Sequence, residues 1–79
     1  MTSNADIVGK TITAHVTRVE EYGLYLAHAS KTILVLIVDV RNQPIDDLRK
    51  EYKLGEEVVV RVLRYVDEYK LYKGTIKDL

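Results

Sequence analysis

An alternating segment that ends at a glycine between two tyrosines constrains the fold of this chain more than any other feature. From Thr11 to Val19, the apolar residues Ile12, Ala14 and Val16 alternate with polar ones. This period of two predicts a half-buried strand. Tyr22-Gly23-Leu24-Tyr25 follows an acidic turn, and its glycine lets the backbone bend or adopt a positive φ. We expect two strands joined by a tight turn, with rings that lie either on the outer surface, where unpaired bases stack, or in the core.

Four segments after the turn at Glu20-Glu21 show strand patterns. They are Tyr22–His28, Ile33–Val38, Glu56–Tyr65 and Tyr69–Lys77. A turn at Ser30–Thr32 is expected to separate the second strand from the third. In the fourth strand Val58, Val60 and Val62 are expected to point inward, and Gly74 suggests a bulge in the fifth.

The segment that follows Pro44 has a helical pattern instead. Ile45, Leu48 and Tyr52 are spaced to form one apolar stripe, proline suits a first helical turn, and Gly55 is a suitable stop. The order is therefore three strands, one short helix between strands 3 and 4, and two strands. In 79 residues, this order predicts an all-β fold, a five-stranded antiparallel OB-fold barrel.

The composition excludes several classes of protein. Cysteine is absent, which removes disulfides and thiolate sites and is compatible with a reducing cytoplasm, where we expect the chain to reside. No apolar run approaches the ~20 residues that span a bilayer, so no membrane contact is expected. Residues 1–7 have no signal-peptide pattern and are expected to form a disordered lead-in, while residues 8–79 form one domain.

No pattern of catalytic or metal-binding residues stands out. Ser3 and Ser30 lack a nucleophile motif, and no glycine-rich phosphate loop is present. His15 and His28 lie on different predicted strands without the close ligand spacing of a metal site. We expect neither an enzyme nor a cofactor.

Five segments of the chain resemble the S1 domain, the RNA-binding repeat of the largest protein of the bacterial small ribosomal subunit. The matching segments are Val8–Lys10, His15–Val19, Tyr22–Tyr25, Leu54–Val58 and Val60–Leu63. The resemblance extends over roughly residues 8–77, nearly the whole chain. It implies a five-stranded barrel that binds single-stranded RNA on one side.

The resemblance also implies which residues contact RNA. Tyr22 and Tyr25 would be the two aromatic residues that usually stack on bases in this family. Ile37 occupies the place on strand 3 where the family often carries a histidine. Lys70 is the expected match to a basic residue on strand 5 that contacts phosphate, with Asp67 as its acidic neighbour in the preceding turn.

Basic residues elsewhere could extend such a surface. Lys10 and Arg18 on strand 1 and Arg64 on strand 4 could line one groove with Lys70, where they would neutralise phosphates. The alternative is that these are ordinary solvated charges paired with nearby acids. Twelve basic side chains balance twelve acidic ones, and a strong non-specific RNA binder usually carries a basic excess.

Strand Ile33–Val38 supports a second hypothesis. It is apolar on both faces, and an exposed apolar face often marks an interface. Its outer face, with Leu34 or Val35 and Ile37, would then contact a protein partner or a second copy of the chain. The leading prediction is a single-stranded RNA-binding module with weak sequence preference that acts in RNA metabolism or translation. The alternative is a protein-interaction or oligomerisation module on the same barrel that has lost RNA binding.

Overall fold

Five strands and one short helix make up the structure, a computed structural model that describes residues 7–41 and 47–77. The strands are β1 (Thr11–Glu20), β2 (Gly23–His28), β3 (Lys31–Leu36), β4 (Glu57–Val66) and β5 (Leu71–Thr75). A short 3-10 helix, Ile37–Asp39, follows β3, and the α-helix α1 (Leu48–Glu51) precedes β4.

The strands form a closed barrel in the order β1-β2-β3-β5-β4, with β4 returning to pair with β1. Four of the five pairings are antiparallel, and the pairing between β3 and β5 is parallel. The chain crosses between β3 and β4 through α1, so β5 runs in the same direction as β3 when the barrel closes. The predicted OB-fold barrel with one helix between strands 3 and 4 is therefore confirmed, and its closing pair is the one that is not antiparallel.

Alternation along each strand fills the barrel interior. Val58, Val60 and Val62 of β4 are buried as predicted, and Ala14 and Val16 of β1 meet them in the core. Strands β2, β3 and β5 contribute the remaining buried strand residues, which are Leu24, Leu26, Ile33, Val35 and Tyr72. Because every second side chain of β2, β3 and β5 points inward, the residues between them form the outer face that is described below.

Strands 3 and 5 differ from their predicted bounds. β3 begins at Lys31 because Ala29, at φ 55°, allows a tighter turn than the one predicted at Ser30–Thr32. It ends at Leu36, so Ile37 is not on the strand as predicted but begins the 3-10 helix. β5 begins at Leu71 because residues 67–70 form the preceding turn, with Lys70 at φ 56°.

Two irregularities in pairing bend the barrel, and neither is on β5. The register of β1 against β2 shifts between Val16 and Arg18, and that of β4 against β5 shifts between Val62 and Arg64. The bulge predicted at Gly74 therefore lies on β4, where one additional residue separates the partners of Gly74 and Lys73. Gly74 itself is buried, and a Cβ there would lie 2.7 Å from Val60 Cγ2 and 2.9 Å from Ile33 Cγ2. The glycine lets β5 approach the core side chains of its two neighbours.

Helix α1 covers one end of the core. Asp47 caps it by accepting a hydrogen bond from the Arg49 backbone N–H at 3.0 Å, and Leu48 is buried. Tyr52, from the predicted apolar stripe, ends the helix and is half-buried, while Pro44 and Ile45 lie outside the described residues. Within residues 7–41 and 47–77, no helix has the length and apolar character needed to cross a membrane.

The folded part of the chain includes Ile7. This residue belonged to the predicted lead-in, but it is buried in the core, and its carbonyl accepts a hydrogen bond from the Lys10 N–H at 3.1 Å. The other residues of the predicted lead-in, 1–6, lie outside the described part of the chain.

Gly23, at the start of β2, is required by close approach and not by a positive φ. It is absent from the glycines with positive φ, and a Cβ there would collide with the Val35 carbonyl oxygen and lie 3.0 Å from Leu36 Cα. Both contacts are with the backbone of β3, which cannot rotate away as a side chain can. Only glycine allows β2 and β3 to pair in this register beside the two tyrosines.

We expect Gly23→Ala to lower the free energy of unfolding by about 1–3 kcal/mol, the usual cost of overpacking. Urea denaturation followed by circular dichroism measures the change. Thr13→Ala, at an exposed position of β1, is the control and should stay within about 0.5 kcal/mol of the parent chain. Equal unfolding midpoints for the two variants would contradict the proposed collision.

Candidate nucleic-acid interface

Two tyrosine side chains meet at the turn between β1 and β2. The rings of Tyr22 and Tyr25 are nearly perpendicular, with centroids 6.1 Å apart, and their hydroxyl groups share a hydrogen bond of 2.7 Å. Tyr22 is 46% exposed and Tyr25 is half-buried, so neither belongs to the core. The structure therefore places both rings on the outer surface, which was the first of the two positions considered from the sequence.

The hydroxyl contact ties the two rings to one another. The hydrogen bond shared with Tyr25 raises the pKa of Tyr22 above its ordinary value, because the bond stabilises the protonated hydroxyl. Tyr22 therefore keeps its proton at neutral pH and stays bonded to Tyr25. Its ring faces offer an apolar platform whose orientation is set before any ligand arrives.

Arg18 joins the tyrosine pair from β1. Its guanidinium carbon lies 5.3 Å from the centroid of the Tyr25 ring, within the range of a cation–π contact. The same guanidinium donates a hydrogen bond to the Glu20 carboxylate, which raises the pKa of Arg18 above its ordinary value. A cation thus lies beside the platform, in contact with a carboxylate of the chain itself.

A continuous row of outward side chains crosses the barrel from this cation. Strand register pairs Arg18 with Tyr25, Tyr25 with Leu34, Leu34 with Lys73, and Lys73 with Arg64. Neighbouring strands are about 4.8 Å apart, so Lys73 lies roughly 10 Å from Tyr25 across β3. The row therefore has an aromatic ring and a cation on one side, an apolar centre, and two cations on the other side.

The apolar centre of the row belongs to β3. Leu34 and Leu36 point outward and are half-buried, while Val35 is fully buried in the core. Val35 is therefore not part of the outer face that the sequence suggested. The strand is apolar on both faces because its inner residues fill the barrel and its outer ones form the floor between Tyr25 and Lys73.

Ile37 lies close to the tyrosine pair although it is off the strand. Its backbone N–H donates a hydrogen bond of 2.8 Å to the Tyr22 carbonyl, and its half-buried side chain packs against the core. Its backbone therefore connects the β1–β2 turn to the end of β3.

Two of the predicted phosphate ligands lie away from the tyrosine pair. Lys10 immediately precedes β1 and is eight residues from Arg18, which is about 26 Å along an extended strand. Lys70 lies in the β4–β5 turn and not on β5, where it forms an exposed ion pair of 3.6 Å with Asp67. The structure brings Tyr22, Tyr25, Arg18 and Ile37 together at one end of the barrel and leaves Lys10 and Lys70 elsewhere.

Lys73 is the residue of the row that the sequence did not indicate. Alternation along β5 could have identified it, because its two neighbours Tyr72 and Gly74 are buried and Lys73 therefore points outward. A glycine carries no apolar side chain to mark the inner face, so the alternation of β5 is hard to recognise from sequence.

The two histidines make local contacts. His15 Nε2 lies 3.3 Å from Glu57, and His28 Nδ1 lies 2.9 Å from the Thr13 carbonyl. Among residues 7–41 and 47–77, no group of three or more histidine or acidic side chains is arranged to hold a metal ion.

Solved structures contain the same barrel. The intact alpha subunit of aIF2 from Pyrococcus abyssi superposes with a TM-score of 0.82 at 21% identity, covering 99% of this chain and 31% of that one. A chain of an a/eIF2alpha-aDim2p-rRNA complex from Pyrococcus horikoshii superposes with a TM-score of 0.77 at 23% identity, covering 89% and 44%. GSP13 from Bacillus subtilis has a TM-score of 0.77 at 30% identity, covering 87% and 54%.

A sequence relative and a family model agree with this fold. The relative is a polyribonucleotide nucleotidyltransferase from Aquifex aeolicus, 36% identical over 56 residues, which are 71% of this chain and 7% of that protein. The chain thus spans a small fraction of the curated relative that it matches. The family model described as S1 RNA binding domain matches residues 5–71. This match, which agrees with the barrel and the outer tyrosine pair, establishes that the chain belongs to the S1 RNA binding domain family.

Proposed function

We propose that the chain binds single-stranded RNA on the outer face of β2, β3 and β5, with weak sequence preference. The observation that carries the proposal is the tyrosine pair on the outer surface, with Arg18 against one ring and Lys73 across the floor of β3. In OB-folds, the face of strands 2 and 3 is the usual site for oligonucleotides.

The chemistry of this face suits bases and phosphates together. A base can stack on a tyrosine ring for about 1–3 kcal/mol, and stacking tolerates any sequence because every base has a π-face. Arg18, Lys73 and Arg64 can neutralise phosphates on either side of the stacked base. With few such cations and a net charge of zero, we expect weak binding that falls as salt rises.

The proposed setting is RNA metabolism or translation in the cytoplasm, with the chain as a binding module and not a catalyst. The Aquifex relative carries an enzyme name, but this chain corresponds to 7% of its length. Two of the structural neighbours are the alpha subunit of aIF2 and a chain of an a/eIF2alpha-aDim2p-rRNA complex, the second of which contains rRNA. These names support a role beside RNA.

Replacing both tyrosines tests the stacking proposal. We expect Tyr22→Ala/Tyr25→Ala to weaken binding of a labelled single-stranded RNA by roughly ten-fold or more, because at least one stacking platform is lost. Fluorescence anisotropy at low and moderate salt measures the change. Tyr69→Ala is the matched control, since Tyr69 is 68% exposed but lies in the β4–β5 turn.

Two results would overturn this proposal. The first is a parent chain that binds no RNA even at low salt. The second is a folded double variant that binds as well as Tyr69→Ala does.

Removing Lys73 tests whether the row across β3 carries the RNA backbone. We expect Lys73→Gln to weaken binding and to make the dependence of log affinity on log salt shallower by about 0.7, the contribution of one phosphate contact on a single strand. Lys31→Gln is the control, since Lys31 pairs with His28 at the start of β3, three residues from Leu34 and on the alternate face of the strand. If Lys31→Gln reduced the slope and Lys73→Gln did not, the RNA path would lie elsewhere.

A second candidate function is protein interaction or self-association through the outer face of Ile33–Val38. The observation that favours it is the apolar floor of Leu34 and Leu36, followed by Val38, which is 65% exposed. This surface lies on the proposed RNA face, so the two functions would compete. We expect light scattering after size-exclusion chromatography to show a concentration-dependent mass, and Leu34→Ser to abolish it. A strict monomer at high concentration would contradict this function.

A further inference from the structure

A groove of about 480 Å³ opens between the end of β1 and helix α1, next to the Arg18 end of the row. Its walls are Thr17–Val19 on β1, Arg49 and Tyr52 at α1, and Lys53 and Leu54 in the loop that follows. It opens where the pairing of β1 with β4 ends at His15 and Glu57, because Glu57 is the first residue of β4 and the chain before it is the loop that leads from α1. The groove is therefore a consequence of the backbone path.

The loop side of the groove is held in place by backbone hydrogen bonds. Gly55 donates to the Val16 carbonyl at 2.7 Å, and Val16 donates to the Glu56 carbonyl at 2.9 Å. The Lys53 N–H also donates to the Glu56 side chain at 3.0 Å. Lys53 and Leu54 are thus presented on a loop that is anchored to β1.

The walls of the groove combine positive charge with apolar surface. Arg18, Arg49 and Lys53 supply three cations, and Tyr52 and Leu54 supply the apolar part. Burial raises the pKa of Tyr52, so its hydroxyl is neutral at physiological pH. Such a combination suits a sugar–phosphate unit, which has one anionic and one less polar portion.

One carboxylate lies between two of these cations. Glu20 accepts a hydrogen bond from Arg18 Nε, and its other oxygen is 3.9 Å from Arg49 Nη2. The side chains of Arg18 and Arg49 are 62% and 56% exposed, whereas that of Glu20 is 23% exposed. The carboxylate therefore occupies the position at which an external anion would meet both arginines.

Arg18 connects this groove to the tyrosine pair. Its guanidinium lies over the Tyr25 ring, and the residue also lines the groove. A strand with one base on the tyrosine platform would bring its next phosphate to Arg18 from the same side. The groove is thus the continuation of the proposed RNA face toward α1.

We propose that this groove is a backbone subsite for single-stranded RNA, in which Arg18, Arg49 and Lys53 bind phosphate and Glu20 competes with that phosphate for the two arginines. The proposal rests on the proposed function. Glu20 acts as an internal anion that keeps affinity low, because RNA must separate it from the arginines before a phosphate takes its place. Exposed ion pairs contribute little to stability, so this exchange costs the fold little.

Glutamine at position 20 tests the competition directly. We expect Glu20→Gln to tighten binding of a labelled single-stranded RNA roughly five-fold at low salt, about the effect of one charge at contact distance in water. Glu21→Gln is the matched control, since it makes the same change in net charge at the next residue, in the exposed turn. It should tighten binding much less.

Arg49 tests the other side of the contact. We expect Arg49→Gln to weaken binding and to make the salt dependence shallower by about 0.7. Arg61→Gln is the control, because Arg61 is exposed on β4 opposite Thr11, far from the groove. In Glu20→Gln/Arg49→Gln, the gain from the first change should largely disappear, since the two residues act on one phosphate.

The outcomes separate this proposal from the proposed function. If the parent chain binds RNA through its tyrosines but Glu20→Gln matches Glu21→Gln and Arg49→Gln matches Arg61→Gln, the groove is not a subsite and RNA binding stands. If the parent chain binds no RNA even at low salt, both proposals fail. Circular dichroism and thermal unfolding of each variant establish that the barrel is intact.

Discussion

Closure of the barrel between β3 and β5 is the contact on which the rest of the structure depends. It places Ile33 opposite Tyr72 and Leu34 opposite Lys73, in the parallel pairing. Gly74 permits this closure, because any side chain there would meet Val60 and Ile33. Beyond the paired residues, the Asp39 carbonyl accepts hydrogen bonds from Ile76 N–H and Lys77 N–H, which extend the connection past the strand ends. Closure removes the exposed edges that an open five-stranded sheet would present.

The same closure decides what the outer surface contains. Without it, Tyr25 and Lys73 would lie on strands distant in sequence and unrelated in space. With it, an aromatic ring, an apolar floor and three cations lie in one row around the barrel. At the Arg18 end of the row, Glu20 offsets part of the positive charge. The balance of acidic and basic residues in the whole chain is therefore also found at this site, where a carboxylate lies between two arginines next to the aromatic platform.

Much of the fold follows from local patterns. Alternation in β1 and β4 predicted which residues fill the core, because a strand has only two faces and burial selects the apolar one. The tyrosine-glycine-tyrosine segment indicated the family. It left two positions open for its rings, the outer surface and the core, and the surface position is the one observed. The strand ends were less predictable. Positive φ at Ala29 and Lys70 moved two turns, and neither residue type signals such a conformation.

The sequence by itself determined the five strands, the short helix, the S1 family and the aromatic pair, since these depend on spacing within single segments. Only the tertiary structure decided which cations accompany the tyrosines. Lys10 and Lys70 were expected beside them and lie elsewhere, whereas Lys73 and Arg49 come close through strand register and the position of α1. The physical reason is that barrel closure and bulges determine which residues of different strands become neighbours. Charged residues have no periodic spacing in the sequence from which those neighbours could be predicted.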